Sequence, residues 1–222
     1  MKKAIYFAGT YGAGKSLLIE SQYFFSPRKN PPDNYICQDR YKYEFDKMYP
    51  LQEEDNTKRA AIRVARQLTN YINKGETYYY EVAALGDTAP YRKAKAAGFE
   101  VVVNFVYVYP VEKTLDRIVL GVGKGTRHDI KHINAEDQRR KQAKLLQDIS
   151  WHIKSLDTVR IFDNSGDWLP TDMNLILQEM AVFKNGKCIF LQDGYENVSN
   201  EFSDFINDHK EKTKLVLVKK KR

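Results

Sequence analysis

The chain carries a glycine-rich loop, GTYGAGKS over residues 9–16, that fits the pattern G-x-x-x-x-G-K-[ST] without a mismatch. In such a loop the glycines allow successive backbone N–H groups to surround phosphate oxygens, and the following helix contributes the positive end of its dipole. We expect Lys15 to reach the β- and γ-phosphates of ATP and the Ser16 hydroxyl to coordinate Mg²⁺. The predicted nucleotide-binding residues of this segment are Gly9, Gly12, Ala13, Gly14, Lys15, Ser16 and Leu17.

The loop does not specify a reaction, because motors, GTPases and small-molecule kinases share it. The sequence has no Asn-Lys-x-Asp motif of the kind that selects guanine, which argues against a GTPase. The glycines at 9, 12 and 14 also have the wrong spacing for the dinucleotide-binding pattern G-x-G-x-x-G. The alternative of a purely structural glycine turn before a helix stays open at this point.

Two acidic residues stand where a kinase of small substrates needs a carboxylate near the acceptor hydroxyl, at the ends of strands beside the loop strand. Asp39 follows a predicted strand, Tyr35 to Gln38, and Glu81 lies near the end of another, Tyr78 to Val82. Asp39 could instead cap a helix over Arg40 to Met48. A structural role for Glu81 is harder to find, because a buried carboxylate without a partner is costly.

A basic segment between two predicted helices, from Arg117 to Arg140, has the composition of a lid over nucleotide phosphates. Glycines at 121, 123 and 125 favour mobility in its first part, and we place the lid at about residues 121–140. Each arginine alone is more often a solvated surface charge. His128 and His132 lack the acid of an H-E-x-x-H metal site. The arginines of this lid include Arg127, Arg139 and Arg140.

Short apolar runs alternate with longer amphipathic ones along the chain, which predicts an α/β fold with a mostly parallel central sheet in three layers. Strands are predicted at Ala4–Ala8, Tyr35–Gln38, Tyr78–Val82, Glu100–Tyr109 and Val159–Phe162, and a C-terminal hairpin at Phe183–Phe190. Helices are predicted at Ser16–Phe24, Arg40–Met48, Thr57–Lys74, Pro90–Ala97, Val111–Leu120 and Ala135–Leu156.

Two segments of this pattern predict specific structures, a central strand and a hairpin turn. The run Glu100–Tyr109 is apolar on both faces, as in a central strand covered by helices on each side. The dipeptide Asn185-Gly186 suits a type I′ hairpin turn, because both residues tolerate positive φ. We expect one kinase domain over residues 1–195, followed by a C-terminal helix and a basic tail over residues 196–222.

Composition places the chain among folded proteins, with 222 residues, 42% hydrophobic and 29% charged. The net charge of +7 invites a nucleic-acid partner, but residues 210–222 hold seven cationic side chains and one acidic one. A charge of +6 therefore lies in the tail and only +1 in the first 209 residues. Solvation of the tail is the favoured interpretation, and a polyanion partner is the minority one.

The sequence also favours a cytoplasmic location. Cys37 and Cys188 are far apart and lack the paired spacing of a zinc or redox motif, which favours reduced thiols. The apolar run Val101–Tyr109 is too short to cross a membrane and is interrupted by Asn104. The apolar stretch after Met1 is too short for a secretory signal, and a glycine loop follows it.

Taken together, these residues resemble the zeta-toxin family of P-loop kinases, especially its compact chromosomal branch. The likeness covers about residues 4–195 and rests on the order and spacing of the whole set. Its members are residues 9–16, 38–42, 60–65, 74–76, 81, 94–101, 125–130, 139–140 and 162–167, together with Arg117.

The resemblance implies ATP-dependent phosphorylation of a sugar hydroxyl of UDP-N-acetylglucosamine. Asp39 would then be the general base on that hydroxyl and Glu81 would hold the acceptor, with Arg117 as a further acceptor-binding residue. Lys15, with Arg127 and Arg139 or Arg140, would stabilise the moving phosphoryl group. Asn164 would end the last parallel strand near the adenine. A protein antitoxin is a candidate partner by the same resemblance, and a monomer is the favoured oligomeric state.

The sequence also departs from the family. Glu81-Val82-Ala83 stands where this branch usually has Glu-Thr-Thr, so two acceptor-facing hydroxyls are missing. Gly121 stands where the resemblance predicts an arginine four residues after Arg117, and we expect Arg127 to substitute for that charge. Two alternatives follow: a nucleotide-binding regulatory or interaction protein with a non-catalytic acceptor site, and a kinase of another acceptor such as a nucleoside or a nucleic-acid end.

Overall fold

The computed structural model describes residues 1–83, 89–123, 133–166 and 177–210. In these ranges a sheet combines with helices in the order that the sequence predicts. The strands are β1 (Lys3–Ala8), β2 (Tyr35–Cys37), β3 (Tyr78–Val82), β4 (Glu100–Tyr107), β5 (Thr158–Asp163), β6 (Gln178–Lys184) and β7 (Lys187–Leu191). The α-helices are α1 (Lys15–Tyr23), α2 (Gln38–Met48), α3 (Glu53–Lys74), α4 (Ala89–Ala96), α5 (Lys113–Gly123), α6 (Ala135–Ser155) and α7 (Asn200–Lys210).

The sheet has the strand order β2-β3-β1-β4-β5-β6-β7. The first five strands of that order are parallel, and β6 and β7 form an antiparallel hairpin at one edge. Strand β4 is the middle strand, and seven of its eight residues are buried, which confirms the expectation from its continuous apolarity. The strand that precedes the glycine loop, β1, lies between β3 and β4.

Two hydrophobic clusters cover the two faces of the sheet and make the three layers. The smaller cluster packs Leu18 and Ile19 of α1 against the sheet. The larger one collects side chains from α3, α4, α6 and α7, including Leu145 and Phe202. The predicted fold class, a three-layer α/β fold with a mostly parallel sheet and a C-terminal hairpin, is therefore confirmed.

Most element boundaries differ from the prediction by a few residues. Helix α3 begins at Glu53 rather than Thr57, because its first turn carries three acids that favour a helix N-terminus. Strand β4 ends at Tyr107, two residues before the predicted end. At the hairpin, Asn185 and Gly186 have φ angles of 48° and 77°, as the type I′ prediction requires.

The two cysteines lie at opposite edges of the sheet, Cys37 on β2 and Cys188 on β7, so no disulfide joins them. Among the described helices, none combines the length and the apolarity that a bilayer span needs. Several predicted features lie outside the described residues: the central part of the lid with Arg127, Asp167 of the family likeness, and the basic tail beyond Lys210.

The C-terminal helix α7 inserts Phe202 and Ile206 into the larger core, and both side chains are fully buried. We therefore expect Phe202→Ala to lower the free energy of unfolding by about 3–5 kcal/mol, because it leaves a cavity between α7 and the sheet. Chemical denaturation measures the change. Phe24→Ala, which removes an exposed ring, is the control and should change stability by less than about 0.5 kcal/mol. A small effect of Phe202→Ala, or a separate transition for α7, would show that the helix is not part of the domain core.

Candidate active site

The glycine loop connects the end of β1 to the start of α1, and two of its glycines are required by its geometry. Gly12 has a φ angle of 79° and Gly14 one of 102°, both in the left-handed region that favours glycine. A Cβ atom on Gly12 would overlap the backbone oxygen of Thr114, and one on Gly14 would overlap the side-chain amide of Asn164. The loop therefore takes this path only because side chains are missing there.

The Lys15 side chain folds back over the loop and is only 6% exposed. Its ammonium group donates to the carbonyl oxygens of Gly9 at 2.9 Å and Thr10 at 3.1 Å. A carboxylate oxygen of Glu81 lies 3.8 Å from the same nitrogen. This buried cation is thus compensated by two carbonyls and one carboxylate, as a charge withdrawn from water must be.

The sheet brings the two predicted carboxylates to the same edge of the site. Glu81 on β3 pairs in register with Phe7 of β1 on one side and Cys37 of β2 on the other. Asp39 follows Cys37 by two residues and lies in the first turn of α2. Both acids therefore lie at the carboxyl ends of strands on the same side of the loop strand, as the sequence predicts.

Helix α2 begins directly after β2, at Gln38, and its N-cap residue is Cys37, which makes no side-chain cap hydrogen bond. The structural alternative for Asp39, an N-cap of a helix over Arg40 to Met48, is therefore wrong. The physical reason is that the helix starts two residues earlier than predicted, so Asp39 has helical geometry and its carboxylate is left to make other contacts.

Glu81 has two partners that account for its burial. Besides Lys15, the hydroxyl of Tyr35 donates to its second carboxylate oxygen at 2.5 Å. Burial and the neighbouring Glu81 charge raise the pKa of Tyr35 well above its usual range, so the phenol stays protonated and remains a donor. Burial raises the pKa of the Cys37 thiol to about 12, with contributions from Glu81 and Asp39, so the thiol stays protonated too.

Asp39 is an exposed residue, although many protein atoms lie near its carboxyl group. This partial withdrawal from water is the largest cause of a raised pKa. The Lys15 ammonium opposes the rise and the Glu81 carboxylate adds to it, with smaller lowering effects of Tyr11 and Lys42. A carboxylate with a raised pKa is a stronger base, which is the property that proton abstraction from a hydroxyl needs.

Tyr11, the third residue of the loop, is a site residue that the sequence analysis does not single out. Its hydroxyl donates to the Asp39 carboxylate at 3.4 Å. The Lys15 nitrogen lies 5.9 Å from the centre of its ring, and the Lys141 nitrogen lies 5.0 Å from that centre. Its position inside the motif is the only sequence signal that could have drawn attention to it.

Helix α6 approaches the loop through Gln138 and Lys141. The buried Gln138 amide donates to the Tyr11 carbonyl at 2.7 Å and to the Thr114 hydroxyl at 3.0 Å. Lys141 bonds Asp137 at 2.5 Å and lies over the Tyr11 ring. The sequence could have indicated that Gln138 lies on the buried face of α6. It precedes the buried Leu145 by seven residues, which is two helical turns.

The two predicted arginines of α6 form ion pairs with acidic side chains. Arg139 is 62% exposed and pairs with Glu112, while Arg140 is 80% exposed and bonds Asp137 at 2.9 Å. The helix thus presents Gln138 and Lys141 to the loop, and the arginines pair with acids beside it. Arg127, the third predicted arginine, lies outside the described residues.

The segment after β5 closes the other side of the loop. The Asn164 side chain is buried and donates to the Ala13 carbonyl at 2.6 Å. The buried guanidinium of Arg117 donates to the carbonyls of Asn164 at 2.8 Å and Gly166 at 3.0 Å. Asn164 therefore lies beside the loop, and Arg117 fixes the segment that carries it.

Three buried oxygens around the loop have no hydrogen-bond partner within the described ranges: Thr10 Oγ1, Gln138 Oε1 and Asn164 Oδ1. Buried polar atoms are nearly always hydrogen-bonded, to protein or to ordered water or ligand. Their concentration at the loop marks this place as one that a polar ligand or water completes.

Comparisons with known proteins agree with this architecture. No family model matches the sequence, and no curated protein matches it. A structure of the PezAT chromosomal toxin–antitoxin system of Streptococcus pneumoniae is similar to this chain, with a TM-score of 0.50, 15% identity, and coverage of 99% of this chain and 88% of the other. The chain therefore shares its overall fold with that structure.

Two further solved structures match more weakly. One is a protein from Chloroflexus aurantiacus provisionally described as a kinase, with a TM-score of 0.47, 13% identity, and coverage of 65% of this chain and 80% of the other. The second is a sugar kinase from Janibacter, with a TM-score of 0.37, 15% identity, and coverage of 65% and 78%. At these scores they add nothing to the fold argument.

The contact between Gly14 and Asn164 makes Gly14→Ala a test of the loop. The added methyl would displace the Asn164 amide and strain the backbone, so we expect at least a tenfold loss of ATP affinity by titration calorimetry. Gly194→Ala is a matched control, because φ is also positive there, at 85°, and the nearest atom to its Cβ is 3.6 Å away. It should cost a similar backbone strain, about 1–3 kcal/mol, and leave ATP affinity within twofold. Equal affinities in both variants would refute the role of the Gly14 contact.

Proposed function

We propose that the chain is an ATP-dependent kinase that transfers the γ-phosphate to a hydroxyl of a small molecule. The observation that carries the proposal is the convergence of three charged groups at the glycine loop: the Lys15 ammonium, the Glu81 carboxylate 3.8 Å from it, and the Asp39 carboxylate with its raised pKa. A cation for phosphate beside a base for a hydroxyl is the pairing that phosphoryl transfer needs.

The nucleotide would bind along the loop. The backbone amides from Gly9 to Leu17 would surround its phosphates, since the first amides of α1 have no partner within the helix. Lys15 would exchange its two carbonyl contacts for phosphate oxygens. Asn164, which lies against Gly14 and keeps a buried unpartnered oxygen, would contact the nucleotide from the β5 side.

The residues present fit a magnesium ion that is held mainly by phosphate oxygens and water. Ser16 is the second residue of α1 and is only half-buried, so its hydroxyl can serve as a ligand, with the Asp39 and Glu81 carboxylates on the same side of the loop. Such an ion would neutralise charge on the β- and γ-phosphates.

Asp39 would take the proton of the acceptor hydroxyl, and Glu81 would position the acceptor. Arg127, Arg139 and Arg140 would offset the negative charge that spreads during transfer. Arg139 and Arg140 would first have to leave their present acidic partners. Arg117 would assist indirectly, by holding the segment that carries Asn164.

The first acceptor to test is UDP-N-acetylglucosamine, which the family resemblance of the sequence implies. The fold likeness to a toxin–antitoxin structure also supports a search for a protein antitoxin as partner. Val82 and Ala83, where the family has two hydroxyls, are the residues that would shift the acceptor preference.

Replacement of the base tests the proposal directly. We expect Asp39→Asn to bind ATP with unchanged affinity but to lose at least about 100-fold in transfer rate, because general-base catalysis contributes 10²- to 10⁴-fold. The assay incubates protein, ATP and Mg²⁺ with UDP-N-acetylglucosamine or with a metabolite extract, and mass spectrometry detects the phosphorylated product. Asp33→Asn, a change at an exposed aspartate before β2, is the matched control. ATP binding without phosphorylation of any metabolite by the wild-type chain would instead indicate the regulatory alternative.

The pH dependence of the rate offers a second test. Asp39 acts only when ionised, and its raised pKa means that it is protonated at a higher pH than an ordinary aspartate, whose pKa is about 4. The value of kcat/KM should therefore fall as pH is lowered, with a midpoint above about 4. In Lys42→Ala, loss of a neighbouring cation should move that midpoint upward. A flat profile down to pH 4 would contradict the role of Asp39.

A further inference from the structure

The Tyr11 hydroxyl contacts the carboxylate of the proposed general base through a long hydrogen bond. The Tyr11 hydroxyl donates to the Asp39 carboxylate at 3.4 Å, and the proposed base would receive a substrate proton through the same kind of contact. An acceptor hydroxyl and the Tyr11 hydroxyl would thus compete for one carboxylate.

The backbone of Tyr11 is fixed beside the phosphate-binding groups. Gln138 binds its carbonyl oxygen, and the next residue, Gly12, lies against the backbone of Thr114. The Lys15 nitrogen, which would contact the γ-phosphate, lies 5.9 Å from the ring centre. The Tyr11 side chain therefore contacts the Asp39 carboxylate and lies within 6 Å of the Lys15 nitrogen.

The hydroxyls of Tyr35 and Thr10, which also lie near the loop, are less suited to phosphorylation. Tyr35 is 2% exposed and its hydroxyl is held by Glu81, so a phosphate group has no room there. The Thr10 side chain is 1% exposed. Tyr11, in contrast, is partly exposed. Burial and the Asp39 charge raise the pKa of the Tyr11 phenol, so its proton must be removed by a base at neutral pH.

We propose that Tyr11 is an intramolecular phosphoryl acceptor, and that the chain phosphorylates it in its own site and thereby inactivates itself. In this step the Tyr11 oxygen forms a bond to the γ-phosphorus of ATP, the bond from that phosphorus to the β–γ bridging oxygen breaks, and ADP leaves. The phenolic proton passes to Asp39. The inference rests on the proposed kinase function, because it uses the same nucleotide and the same base.

The surroundings of Tyr11 suit the charge of the product. A phosphotyrosine carries a charge of about −1.5 to −2 at neutral pH. Lys15 and Lys141 both lie within 6 Å of the ring centre and would act as its counterions. Lys15 would then be engaged by the tyrosine phosphate, and the phosphorylated ring would stand beside the loop that must receive the next ATP. Phosphorylation should therefore weaken ATP binding.

The experiment incubates the full chain with ATP and Mg²⁺ in the absence of any acceptor. Intact mass spectrometry should show the gain of one phosphate, and peptide mapping should place it on Tyr11. The observed rate constant should be independent of protein concentration, as an intramolecular step requires. Tyr11→Phe should remove the label, and Tyr49→Phe, which changes an exposed tyrosine outside the site, should retain it. Asp39→Asn should slow labelling at least about 100-fold.

A second measurement checks the inactivation. The phosphorylated chain should bind ATP at least tenfold more weakly than the chain before incubation, and a tyrosine phosphatase should restore the original affinity. Unchanged affinity after full Tyr11 phosphorylation would overturn the regulatory part of the proposal.

Parallel reactions that contain UDP-N-acetylglucosamine or the metabolite extract test the kinase proposal at the same time. The kinase function and the self-phosphorylation of Tyr11 can therefore fail separately. Phosphorylation of a metabolite without any label on Tyr11 overturns the self-phosphorylation and keeps the kinase. Label on another residue, or a rate constant that rises with protein concentration, also overturns it. A chain that binds ATP but labels neither Tyr11 nor a metabolite overturns both.

Discussion

The buried ammonium of Lys15 imposes the constraint on which the rest of the site depends. A cation that is 6% exposed is tolerable only with charge and hydrogen-bond partners, and the fold supplies the carbonyls of the loop and the carboxylate of Glu81. Glu81 in turn needs Tyr35 as a donor, and its charge helps to raise the pKa of Asp39. The electrostatics of the proposed base therefore begin at the lysine that is proposed to hold phosphate.

The order of the strands in the sheet brings the residues of this network together. Because β3 lies between β2 and β1, Glu81 is in register with Cys37 and Phe7, and Asp39 follows within two residues of that register. The loop itself is enclosed from the opposite side by Gln138 of α6 and Asn164 after β5. Phosphate binding, proton abstraction and the self-phosphorylation of Tyr11 would all use one cluster of side chains.

Much of the fold could be predicted because its signals are local. The glycine loop between an apolar strand and a helix, the two-sided apolarity of β4 and the Asn185-Gly186 turn each appear within a few residues of sequence. The first residues of the helices were harder to predict from the sequence. Helix α2 begins at Gln38, so Asp39 lies inside the helix and its interpretation as an N-cap was wrong. The ion-pair partners of Arg139 and Arg140 could not be predicted from the sequence either. They depend on how α6 packs against the loop and on where Glu112 and Asp137 lie.

The sequence by itself determined the fold class, the phosphate-binding loop and the two carboxylates at strand ends, since these follow from periodicity and from spacing along the chain. Only the tertiary structure decided that Lys15 is paired with Glu81, that Tyr11 donates to Asp39, and that Gln138 and Lys141 face the loop. The physical reason is distance along the chain: Tyr11 and Gln138 are 127 residues apart, and only the packing of α6 against the loop brings them into contact.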